Sequence, residues 1–170
     1  MSVPVEGLDH HAWANDRLLE VCEDLTPEQL DRPVVGTYGS VLDTCRHLVG
    51  SDTWYLWEIS GGDEGSEDGD EDERSIAGLQ ELAADNAAAF GRLVARGIDG
   101  ETDIVQPQPD GSRFHVPIGI RLAQVVHHGT DHRSQVCTSL TELGIEPPEI
   151  DVWAWAEGTG GAWLEPAPLD

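Results

Sequence analysis

The sequence predicts an all-α fold, a four-helix bundle with one long crossover, and three observations carry that reading. Four separate stretches repeat apolar residues at helical period, turn chemistry divides them, and 39% hydrophobic content over 170 residues suffices to bury a core. The chain reads as one domain, 1–170, in which 60–73 forms an acidic loop and 145–170 a tail that packs on the bundle.

The first helix is expected from about Glu6 to Cys22. At roughly 100° per residue, Leu8, His11, Ala12, Asn15, Leu18, Leu19, Cys22 and Leu25 share one face, while His10 and Asp16 fall away from it. Thr26-Pro27-Glu28-Gln29 then reads as a cap with proline at the first helical position, so a short helical turn follows. Ser40 caps a second helix, about Val41 to Ile59, with its stripe at Val41, Leu42, Cys45, Leu48, Val49, Leu56 and Ile59. Gly61 to Glu73 follows as an acidic, glycine-bearing loop, read as solvated and mobile.

A third helix, about Glu73 to Ala95, places Ile76, Leu79, Leu82, Ala83, Ala87, Phe90, Leu93 and Val94 at heptad-like spacing. Residues 102–105 and 113–116 flank Pro109-Asp110-Gly111, which is turn chemistry, so a small hairpin is expected before the last long helix. That helix runs from about Ile118 to Leu143 and ends at Gly144, with Pro147-Pro148 beyond it. The tail carries Trp153, Trp155 and Trp163, which are expected to be withdrawn from water by a short helix or lid.

Charge narrows the partners. Against 33 acidic residues stand 9 basic ones, all arginine, for a formal net charge of −24. Apart from the 60–73 block the carboxylates are dispersed, and concentrated salt screens such self-repulsion, so the surface reads as halophilic adaptation. The same sign argues against nucleic acid and anionic membranes. Three scattered cysteines without a CxxC pair, no leader-like N-terminus and no apolar run of about 20 residues lead to the expectation of a cytoplasmic protein.

The chemistry concentrates at His127-His128-Gly129-Thr130-Asp131-His132. His128 and His132 stand four apart on one helical face, a spacing that lets one helix give a metal two ligands. The core stripe of this helix is expected at Val125, Gly129, His132, Val136, Leu140 and Leu143, with His128 at its border and His127 in solvent. The pair alone suits surface or satisfied core histidines better than it suits a metal. A third ligand is required, and His47 is the candidate. Its place off the main stripe of the second helix fits solvent exposure, or a helix buried on two sides, with Trp54 and Tyr55 favouring the latter. His11, on the core face with Asn15 one turn on, reads as a hydrogen-bonded core histidine or as a fourth ligand, an outer-sphere partner or an acid/base group.

Several motifs together resemble the DinB-like (damage-inducible, YfiT-like) superfamily of metal-binding bundles over nearly the whole length. They are Trp13-Ala14-Asn15 with Arg17-Leu18-Leu19, the run from Leu25 to Leu30, Gly39-Ser40-Val41 leading to His47-Leu48 and Trp54, and the exit from Leu143-Gly144 through Pro147-Pro148 to Asp151. His128 to Gln135 resembles the family's H-x-x-H-H-R-G-Q segment, departing from it at Asp131 and Ser134.

The resemblance implies that His47, His128 and His132 hold one divalent metal. Zinc comes first, with nickel, iron(II) and manganese also suited to nitrogen ligands. Three imidazoles leave a coordination position free, unlike the closed four-ligand sites of structural zinc. Relatives that use thiols such as bacillithiol and mycothiol imply a metal-dependent thiol S-transferase acting on a small electrophile, with His11 or Asn15 orienting the thiol or shuttling a proton. A metal-dependent hydrolase of a small amide or ester and a non-catalytic metal-binding stress protein are the alternatives. Dimers among relatives imply a homodimer.

Overall fold

The computed structural model describes residues 5–69 and 75–165. The end of the acidic loop, the expected start of the third helix at Glu73 and the last residues of the tail therefore lie outside the described residues. Four long helices, α1 (Val5–Glu23), α3 (Val41–Ser60), α4 (Ile76–Ala95) and α5 (Ile118–Glu142), carry the fold. Short α2 (Pro27–Leu30) and α6 (Val152–Gly158) and a hairpin of β1 (Asp103–Pro107) and β2 (Arg113–Pro117) complete it. The mostly helical architecture and the hairpin are those the sequence predicts.

Local chemistry sets the ends of these elements. Thr26 and Ser40 each form a reciprocal capping box, with Gln29 and Asp43 respectively, and Pro27 opens α2. Gly61, with φ of 70°, closes α3 in the left-handed conformation that a Cβ disfavours. Antiparallel pairing of Ile104 with Val116 and Val105 with His115 sets the hairpin register, and α5 starts directly after Pro117.

Around the bundle α1 packs beside α4 and α5, and α3 beside the same two helices, so α1 and α3 lie across the diagonal. The apolar core falls into two clusters. One gathers Leu18, Leu19, Cys22, Cys45, Leu48, Leu79, Val136 and Leu140; the other gathers Leu8, Tyr55, Leu56, Phe90, Leu93, Leu122 and Val125. Between them lies a buried polar layer of His11, Asn15, Asp52, Thr53, Asn86 and Arg133. Within it Asn86 donates to Val49 O at 3.1 Å and also bonds the Thr53 hydroxyl. The thiols belong to the apolar part: Cys45, hydrogen-bonded to Cys22 and fully buried, is held well above the ordinary cysteine range.

Four expectations change. The first half of the acidic loop is not simply solvated, since it folds back along α3: Ser66 N–H donates to Thr53 O, and a Cβ on Gly65 would lie 2.2 Å from that same oxygen. Glu64 in this segment pairs with Arg92 and Arg96. His10 is buried rather than turned away, because the tail covers it; its Nε2 bonds Ile150 O at 2.9 Å and its ring meets Trp155. Of the tail tryptophans, Trp153 and Trp163 remain 73% and 81% exposed. On α5 the core stripe takes Arg133 where the helical wheel puts His132.

Candidate metal centre

Two helices bring the histidines together. His47 projects from α3, and His128 and His132 project one turn apart from α5. All described residues of α3 except Asp43 are at least half-buried, so the helix is buried on more than one side and His47 faces its neighbour rather than solvent. Two polar ties hold α5 against α3 on the way. Near the hairpin, Glu58 pairs with Arg121 at 3.0 Å and accepts from Gln106, while the Arg121 guanidinium lies 5.1 Å over the Trp54 ring. Burial raises the Glu58 carboxyl above its usual range, against the pull of Arg121. The second tie is the polar layer.

The three rings form a tight cluster, with centroids 5.0 Å apart for His47 and His128, 4.7 Å for His47 and His132, and 4.4 Å for His128 and His132. One nitrogen from each lies within 4.8 Å of the other two, a donor set that can hold a metal ion. His47 Nε2 and His128 Nε2 approach to 3.2 Å. Two nitrogens at about 2.0–2.1 Å from a shared tetrahedral ion would stand roughly 3.3 Å apart, so the observed spacing suits an ion between them. Burial, reinforced by His132 and His47, lowers the His128 ring to about 4, and burial lowers His132 as well. Both imidazoles are thus neutral at pH 7, which is the ligating form.

Neighbours orient these rings. The Gln135 amide oxygen accepts the Tyr38 backbone N–H at 3.0 Å and faces His132 Nδ1 at 3.1 Å. His132 must therefore donate from Nδ1, which leaves the lone pair of Nε2 free for an ion. Tyr38 stacks on His47 at 4.1 Å with an interplanar angle of 9°, and its edge meets His132. Tyr55 stands edge-on to His128 at 5.7 Å.

His11 and Asn15 sit beneath this cluster in a closed ring of hydrogen bonds. Arg133 Nη1 donates to His11 Nδ1 at 3.0 Å and to Asn15 Oδ1 at 2.8 Å. Because arginine only donates, His11 Nδ1 accepts and its Nε2–H donates to Asp52 Oδ2 at 2.8 Å. Asn15 Nδ2 closes the ring on the same oxygen at 3.2 Å. Both nitrogens of His11 are engaged, and neither is left for a fourth ligand. Burial lowers Arg133 to about 10, partly offset by Asp52, so the guanidinium stays charged at pH 7 and balances the carboxylate. His127 is exposed, and His115 is a surface residue 3.4 Å from Asp103.

A four-helix bundle whose second and last long helices converge three neutral-capable imidazoles defines a class of protein equipped to hold a metal ion. The chain belongs to the DinB family, whose sequence model matches residues 1–166. No curated protein matches the chain's sequence. Sequence reasoning missed Asp52, Arg133, Tyr38 and Gln135. Arg133 and Gln135 lie inside the motif that ends the family's histidine segment, and their polarity on a buried turn was the available signal. Asp52 carries no such signal, since an aspartate among serine and threonine reads as surface.

Proposed function

We propose that this chain is a metal-dependent enzyme that transfers a low-molecular-weight thiol to a small electrophile. His47, His128 and His132 hold one divalent ion, zinc first among the candidates. The observation that carries the reading is the donor set itself: three nitrogens within 4.8 Å, one fewer ligand than a closed structural site. When bound there, such an ion lowers the pKa of a thiol or water that reaches its free position.

In the overall reaction the S–H bond breaks, an S–C bond forms, and the proton leaves with the displaced group, giving a thioether and the protonated leaving group. The chain's own residues prepare the site. Gln135 holds His132 in the tautomer that presents Nε2, and Tyr38 packs on His47. His11 and Asn15, engaged with Asp52 and Arg133, act as positioning residues that fix α1 against the two ligand-bearing helices. The dispersed acidic surface supports function in a salt-rich cytoplasm.

The test is turnover of a chlorodinitroaromatic electrophile by protein loaded with zinc, nickel or manganese, with bacillithiol, mycothiol, glutathione and cysteine as thiols. Metal- and thiol-dependent loss of chloride supports the reading. Thiol-independent hydrolysis of small amides or esters replaces it with a hydrolase. Stoichiometric metal with no turnover over a broad panel of electrophiles leaves a metal-binding protein without catalysis.

A further inference from the structure

Around the polar layer two buried polar atoms stand unmatched. Asp52 Oδ1 and His128 Nδ1 are buried, and neither has a hydrogen-bond partner among the described residues. Buried polar atoms are overwhelmingly paired, and a histidine that ligates through Nε2 almost always gives its Nδ1–H to a carboxylate, a carbonyl or a water. His128 turns Nε2 to His47, so Nδ1 is the nitrogen that carries the proton when an ion is held between them.

The other unmatched side-chain atoms do not compete. Glu58 Oε2 and Arg121 Nε face one another at 3.0 Å. Ser139 lies eleven residues further along α5, roughly 16 Å away at the helical rise. Asp52 Oδ1 remains, an acceptor where the Nδ1–H donor of His128 needs one. Asp52 also lies near His128 in the fold, since its partner His11 packs against Gly129, the next residue along α5. Its other oxygen is already fixed by His11 and Asn15, so the carboxylate cannot turn away.

We propose that Asp52 is a positioning residue for the metal centre: one buried water accepts the Nδ1–H of His128 and donates to Asp52 Oδ1, and this bridge fixes the ring that carries a ligand nitrogen. This rests on the reading of His128 as a ligand. It makes His128, Asp52, His11 and Arg133 one continuous chain across α5, α3 and α1. The carboxylate's charge also makes the imidazole a stronger donor to the ion.

Zinc affinity by chelator competition and the cobalt(II) absorption spectrum test it on wild type, Asp52→Ala, Asp52→Asn and Leu79→Ala. Leu79 is buried in the cluster away from the site and controls for lost stability. Asp52→Ala is expected to lose about 10–100-fold in zinc affinity and to alter the cobalt spectrum, with Leu79→Ala within about twofold of wild type. Asp52→Asn falls between, because one amide oxygen cannot serve both sides. Wild-type affinity in both Asp52 variants overturns the proposal, whereas a wild type that binds no metal overturns the ligand reading beneath it. Should Asp52→Ala not fold, the zinc-loaded protein with labelled histidines decides: the His128 Nδ1–H proton is protected from exchange in wild type and exposed in Asp52→Asn. Equal protection in both overturns the proposal.

Discussion

The ring of His11 lies directly against the backbone of Gly129, where a Cβ would meet Cε1 at 2.3 Å and Nδ1 at 2.4 Å. Glycine in a helix interior ordinarily costs about 1 kcal/mol relative to alanine. Here the added methyl has no space, because hydrogen bonds to Arg133 and Asp52 hold the ring in place. Gly129→Ala is therefore expected to destabilise the protein by about 1–3 kcal/mol by urea unfolding. A variant more stable than wild type would contradict the packing described.

Arg133 and Asp52 carry opposite charges inside the bundle and communicate through His11 and Asn15. Removing one leaves the other buried and uncompensated, so Arg133→Met is expected to cost about 3–5 kcal/mol. Lysine lacks the planar fork and restores only part. In a double-mutant cycle, Asp52→Asn combined with Arg133→Met costs less than the sum of the two. Strict additivity would show that the ring does not act as a unit.

The bundle was legible because amphipathic period, Thr26, Ser40 and Gly144 all point the same way, and the histidine cluster because His128 and His132 share a face. What sequence could not supply was the diagonal. Asp52, His11 and Arg133 lie on three helices, and no local period shows that a carboxylate on α3 meets an imidazole on α1. The same limit explains His10: its burial comes from a tail 140 residues away, not from its own helix. Arg133 displaced His132 from the core stripe because a buried guanidinium is worth its burial only with partners that a wheel does not contain.

Proton linkage gives a pH dependence with a definite sign. In the folded, metal-free chain His128 is lowered to about 4, and His132 and His10 are lowered too, with burial the leading cause in each. The unfolded chain takes up these protons near pH 6.5. Between about 6.5 and 4 it binds more protons than the folded chain, so this stability is present above 6.5 and lost as pH falls. For His128, discounted for partial exposure, the loss is about 1–2 kcal/mol. Urea midpoints of chelator-treated protein at pH 7.5 and 5 are expected to fall further in wild type than in His128→Gln. Equal falls would contradict the assignment.

A net charge of −24 with no lysine repels itself in dilute buffer. Screening by molar salt is expected to restore a few kcal/mol, raising the unfolding temperature by about 10 °C between 0.1 and 2 M KCl. A flat profile would contradict salt adaptation.

Whether His47, His128 and His132 hold a metal is read most directly by elemental analysis of protein purified in high salt, wild type beside His128→Ala. Near-stoichiometric divalent metal is expected in the wild type, and its loss in the variant. Metal absent from both, even after incubation with zinc, nickel or manganese, would contradict that reading.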